Sequence, residues 1–105
     1  MMQSSLSLQY VKLPVASTQS GVPVNMTGDS VQMAFPLHRV APASGDWTPS
    51  TWETDATVTP NVYYARCLVG PGGTVVLTAG LYDCWIKVTD NPEIPAEKVD
   101  ELLIV

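Results

Sequence analysis

The 105-residue chain has one histidine, His38, which sits beside Arg39 in a proline-rich stretch. Histidine is the side chain that ordinarily titrates near neutral pH, so it is the first place to look for a general base. Catalysis also needs a nucleophile, a second acid or a metal within reach of that base. Ser44-Gly45-Asp46 reads as a turn, with no following helix to make a nucleophile elbow. Gly70-Pro71-Gly72-Gly73 lacks the lysine and the helix start of a phosphate loop, and reads as a hairpin turn. Asp83, Asp90, Asp100 and Glu101 do not have the spacing of a calcium loop. Cys67 and Cys84 form no CxxC and lie near no histidine. These patterns predict no enzyme, no cofactor and no bound metal, and leave His38 and Arg39 as contact residues of their loop.

The tryptophans are the other candidates. Trp47 and Trp52 flank Thr48-Pro49-Ser50-Thr51, and Trp85 follows Cys84. An indole can stack on a sugar ring, cap the edge of a core or anchor a subunit interface. The low charge of the chain favours core or interface. The candidate contact set is therefore His38, Arg39, Trp47, Trp52 and Trp85, with a carbohydrate-binding module as the alternative.

Apolar residues make up 46% of the chain and charged residues 14%, against a usual charged share of about 25%. That is the composition of a folded domain with part of its surface turned to other subunits. The length suits one domain spanning 1–105. The net charge is −5 and the five bases, Lys12, Arg39, Arg66, Lys87 and Lys98, are scattered, so there is no footprint for nucleic acid. Residues 1–5 carry no base and no long apolar run follows, so neither a signal peptide nor a membrane span is expected. The two cysteines fit one disulfide or two free thiols, and without a secretion signal free buried thiols are favoured.

The elements that must position these residues are short β-type runs broken by Pro, Gly and Asp. Leu6, Leu8 and Tyr10 alternate with polar residues as a first strand bent or ended by Pro14; Val22, Val24 and Met26 form a second, before a turn at Thr27-Gly28-Asp29. Val31, Met33 and Phe35 give a strand closed by Pro36, and 36–50 is the longest loop. Strands follow at 51–58 and 62–69, with a short β-branched run at 74–77. Leu81 to Thr89 is the strongest strand, with Tyr82, Cys84, Ile86 and Val88 on one face and Leu81, Asp83, Trp85 and Lys87 on the other. Pro95 could open a helix, but Leu102-Leu103-Ile104-Val105 suits a last strand paired with 82–88, after a turn through 95–100. Residues 1–5 are expected as a flexible arm.

Seven to eight short strands predict an all-β, antiparallel sandwich. Tyr82 stands two residues before Cys84 and just after the turn Thr78-Ala79-Gly80, the spacing of the tyrosine corner of immunoglobulin-like sandwiches. The disulfide form of that fold is excluded, because Cys67 and Cys84 are 17 residues apart with no Trp between them.

Four stretches, in order, resemble small virion proteins of tailed bacteriophages, especially those of actinobacterial hosts. They are also similar to the N-terminal immunoglobulin-like domain of siphophage baseplate upper proteins. The stretches are Gly21-Val22-Pro23-Val24-Asn25-Met26-Thr27-Gly28-Asp29-Ser30-Val31-Gln32-Met33-Ala34-Phe35, then Val62-Tyr63-Tyr64-Ala65, then Leu77 through Thr89, and finally Leu103-Ile104-Val105. The resemblance covers 21–105 and implies an immunoglobulin-like sandwich with a structural role and no catalytic residues to transfer. Baseplate proteins continue into a receptor-facing region where this chain stops, so head decoration or head–tail attachment is expected ahead of a tail or baseplate place. The implied partners are capsid, neck or tail subunits in symmetric assemblies, and the implied location is the virion, assembled in the host bacterial cytoplasm.

Overall fold

In a computed structural model the described residues are 1–15, 18–19, 22–23, 27–59, 61–89, 94 and 96–105, of which 18–19 and 22–23 are described by backbone alone. The strands are β1 (Met2–Gln3), β2 (Gln9–Val15), β3 (Thr18–Gln19), β4 (Val22–Pro23), β5 (Ser30–Ala34), β6 (Thr48–Pro49), β7 (Thr51–Asp55), β8 (Val62–Val69), β9 (Gly80–Thr89) and β10 (Ala96–Ile104). One sheet has the order β1-β10-β9-β5-β6, the other β2-β8-β7, and β3 pairs with β4 as a small ribbon.

Alternation decides which side of each strand is buried. Val31 and Met33 on β5, Tyr82, Cys84, Ile86 and Val88 on β9, and Leu102 and Ile104 on β10 face inward from the five-stranded sheet. Val11 and Leu13 on β2 and Ala65, Cys67 and Val69 on β8 meet them from the other sheet. The result is a β-sandwich. Reading the strands in chain order, β2-β8-β7 and β10-β9-β5-β6 reproduce the two sheets of an immunoglobulin-like domain, and the parallel pairing of β1 on β10 completes the second sheet.

The tyrosine corner is present. The Tyr82 hydroxyl donates to the Thr78 carbonyl at 2.9 Å, closing the turn that feeds β9 from the opposite sheet. Both cysteines are buried and free. Burial pushes the Cys84 thiol up to about 12, and burial raises that of Cys67 as well.

Several sequence expectations shift. The strand expected from Leu6 is β2, Gln9–Val15, and its inward residues are Val11 and Leu13, while Leu6, Leu8 and Tyr10 are exposed. Pro14 lies inside that strand; β2 is an edge, where a missing N–H costs no ladder bond if it faces outward. The strand expected over Val22 to Met26 is described only at Val22–Pro23; the rest lies outside the described residues. The strand expected over 51–58 ends at Asp55.

Gly70–Gly73 is not a hairpin turn, since β8 and β9 belong to different sheets. It folds the chain back so that Thr74 and Val75 donate to the Leu68 carbonyl, before the crossing to the other sheet. The run at 74–77 makes only a bridge, Val75 to Val69. Gly70 has φ 135°, and a Cβ there would run into the Ser7 carbonyl oxygen, so the turn requires glycine.

The expected turn through 95–100 is instead the first half of β10. Residues 1–5, expected as a free arm, are laid on the body: Met2 and Gln3 pair with Leu103 and Ile104, and Ser5 N–H donates to the Val105 carbonyl. The buried Gln3 amide donates to the Ser7 and Val69 carbonyls, tying β1 to the end of β8.

Candidate functional site

The outer face of the five-stranded sheet collects most of the sequence candidates. After Phe35 the chain stays beside β9. Asp83 N–H donates to the Pro36 carbonyl, Leu37 bridges Tyr82, and His38 N–H donates to the Leu81 carbonyl at 3.1 Å. Arg39 then turns the chain with φ 66°, a left-handed conformation uncommon outside glycine and asparagine. These bonds set His38 and Arg39 over Asp83.

Asp83 is the centre of the cluster and the residue that sequence reading missed. It is 3% exposed although its place in the alternation is on the outer face. His38 Nδ1 donates to its Oδ1 at 2.8 Å and Arg39 N–H donates to its Oδ2 at 2.9 Å. Lys98 Nζ stands 3.3 Å from Oδ1. Glu101 lies directly across on β10. Two acids opposite each other repel, and the Lys98 ammonium answers this by also bonding Glu101 Oε1 at 2.9 Å. The hydrogen bond from His38 does most to hold the Asp83 carboxyl below the usual carboxylate range; Arg39 N–H and Lys98 add to it while burial opposes it. Lys98 is in turn raised, chiefly by its bond to Glu101.

An irregularity in β10 makes this possible. Lys98 and Glu101 are three apart, so regular alternation would put them on opposite faces. The register shifts between Lys98, opposite Trp85, and Asp100, opposite Cys84. The extra residue, Val99, packs against the core, and both Lys98 and Glu101 face outward. β-bulges commonly re-aim side chains in this way.

Trp85 and Lys87 continue the face along β9. Trp85 is half-buried, and its indole N–H meets no acceptor among the described residues. The Lys87 ammonium lies 4.5 Å from the centre of the Trp47 ring, a cation–π contact that brings Trp47 onto this face. The expected 36–50 loop is thus partly built structure. It has the bridge at Leu37, a 3-10 turn at Ser44–Asp46 and β6, which pairs with β5. At the other end of the face Met2, Leu103 and Leu81 form a cross-strand apolar row. Met2 is 69% exposed and Leu103 39%.

His38, Arg39, Trp47 and Trp85 therefore share one face, and Trp52 does not. Trp52 is on β7 opposite Ala65, packed on the rim of the core, and its N–H donates to the Asp29 carbonyl at 2.8 Å. With Asp29, Ser30, Gln32, Pro49 and Ser50 it lines a separate open cleft of about 300 Å³. Lys87 and Lys98 also went unassigned. The available signal was Asp83 itself, a lone acid in the otherwise apolar first half of Leu81-Tyr82-Asp83-Cys84-Trp85-Ile86.

Among the described residues no helix is long and apolar enough to cross a membrane. No family model, no curated protein and no solved structure matches the chain.

Proposed function

We propose that the chain is a non-enzymatic, protein-binding module and, following the resemblance of its sequence, a structural component of a tailed-bacteriophage virion. It serves in head decoration or head–tail attachment ahead of a place in the tail or baseplate, and its partners are other virion subunits. The observation that carries this reading is the apolar row Met2–Leu103–Leu81. It crosses three strands of the outer face and runs beside the Asp83 cluster. Exposed apolar surface rimmed by charge is what a protein partner covers. The face is held in shape by the His38 and Arg39 contacts, so little ordering entropy is left to lose on binding.

Strand edges are a weaker route. β2 carries Pro14 and Lys12, β6 carries Pro49, and the open stretch of β10 carries Glu97, Lys98, Asp100, Glu101 and the bulge. These are the devices that discourage edge pairing. Mass spectrometry of purified particles tests the proposal. The chain should be found in them, and Leu103→Asp should remove it from particles while leaving the thermal midpoint of the isolated protein nearly unchanged. A chain absent from particles overturns the virion reading.

The Trp52 cleft favours a second reading, carbohydrate binding, because an indole wall beside Asp29, Gln32 and Ser50 suits a sugar ring. Quenching of tryptophan fluorescence by a glycan, lost in Gln32→Ala, would support it; a flat response across a glycan panel would dismiss it.

A further inference from the structure

We propose that His38, Asp83 and Glu101 form a divalent transition-metal site, best suited to Zn²⁺, at which the metal takes the place of the Lys98 ammonium. Their ligand atoms, one imidazole nitrogen and two carboxylate oxygens, all lie within 4.8 Å of one another. His38 Nδ1 is 2.8 Å from Asp83 Oδ1 and 3.7 Å from Glu101 Oε1. Donors around an ion with bonds near 2.1 Å stand about 3.0–3.4 Å apart, so drawing the donors together by about an ångström closes the site. One imidazole with two carboxylates suits Zn²⁺, whereas Mg²⁺ and Ca²⁺ favour oxygen alone.

Three further features go beyond the presence of the donors. The first is charge. Asp83 and Glu101 face each other across β9 and β10. Lys98 balances one of the two negative charges, while a divalent ion balances both. The second is orientation. Arg39 N–H holds Asp83 Oδ2 and leaves Oδ1 to the site, the outer-shell support that metal carboxylates commonly have. The backbone of His38 is fixed by its bond to the Leu81 carbonyl. The third is the bulge at Val99, which puts Glu101 on the same face as Lys98. The Lys98 side chain is 37% exposed and has room to swing into solvent. On binding, the proton that His38 Nδ1 donates to Asp83 moves to Nε2, and the freed lone pair takes the metal. A fourth coordination position is left to water or to a donor from a bound partner.

The test is calorimetric titration of the full chain, free of any affinity tag, with ZnCl₂, alongside the visible spectrum with Co²⁺. One ion should bind per chain. His38→Ala and Glu101→Gln should each weaken binding at least tenfold, with circular dichroism confirming the fold. The Glu101 side chain is 46% exposed, and its variant guards against a folding failure in the first. Lys98→Ala should tighten binding about tenfold, because the competing cation is gone. A structural ion pair alone predicts no binding with either lysine or alanine at this position. Absence of binding by both wild type and Lys98→Ala at millimolar Zn²⁺ overturns the proposal. So does affinity that His38→Ala leaves unchanged, or Mg²⁺ binding as tightly as Zn²⁺.

Discussion

The two sheets carry mirror-image charge clusters on their outer faces. On the three-stranded sheet two bases, Lys12 and Arg66, stand directly opposite each other, and Glu53 bridges them at 2.6 and 3.2 Å. On the five-stranded sheet two acids, Asp83 and Glu101, stand opposite each other and Lys98 bridges them. Each solves the same problem, like charges facing across a ladder, with one opposite charge. The first stays on its sheet, each member partly open to water, and Arg66 also lies over the Tyr10 ring. The second recruits a loop. His38 and the Arg39 N–H close over Asp83 and take it out of solvent. Exposed ion pairs contribute little to stability, whereas a buried carboxylate held by several donors cannot lose them cheaply. The first cluster is a strap, and the second a clamp that shapes a surface.

The largest effect is expected from deleting Val99. Deletion closes the bulge and makes the alternation regular, so that Asp100 takes the inward place opposite buried Cys84 and an unpaired carboxylate is forced against the core. The chain should unfold or lose its cooperative transition in urea. Next is Asp83→Ala, which strands the Arg39 N–H and frees Lys98 and His38. It should lower the thermal midpoint more than any other single polar substitution and speed hydrogen exchange at the Arg39 amide. Tyr82→Phe is the yardstick between clamp and strap, since it removes one corner hydrogen bond worth about 1 kcal/mol. Glu53→Ala is expected to fall below that yardstick, with an effect that fades in about 0.5 M salt as screening closes in.

Acid sharpens the same contrast. Both Asp83 and Glu53 have folded pKa values below their ordinary ones. A depressed carboxylate adds stability above its unfolded pKa, near 4, and that stability is lost as pH falls through the folded value. Stability should therefore decline below about pH 4. Asp83→Asn should flatten that decline in both low and high salt. Glu53→Gln should do so at low salt only, where the Lys12 contact that chiefly lowers it is unscreened.

Much of the frame was readable in the chain. The runs Val62–Val69 and Leu81–Thr89 marked both core strands, the alternation in the second separated its two faces, and Tyr82 before Cys84 gave the corner. The clamp was hidden because each of its parts departs from a local rule. Alternation puts Asp83 in solvent, and its burial comes from a loop some 45 residues earlier in the chain. Lys98 and Glu101 share a face only through a bulge, which breaks the period that would locate them and made the same stretch read as a turn. Pro14 and Pro49 look like breaks, yet each lies in an edge strand, which tolerates it. Side chains that act through a neighbour far along the sequence leave no periodic trace.

In the proposed virion role the clamped outer face, not the strapped one, meets the partner. Amine labelling of purified particles tests this directly, because Lys87 and Lys98 lie on the clamped face and Lys12 on the strapped one. Lys87 and Lys98 should react more slowly in particles than in the isolated chain, while Lys12 should react at the same rate. Protection of Lys12 with Lys87 and Lys98 unchanged would contradict it.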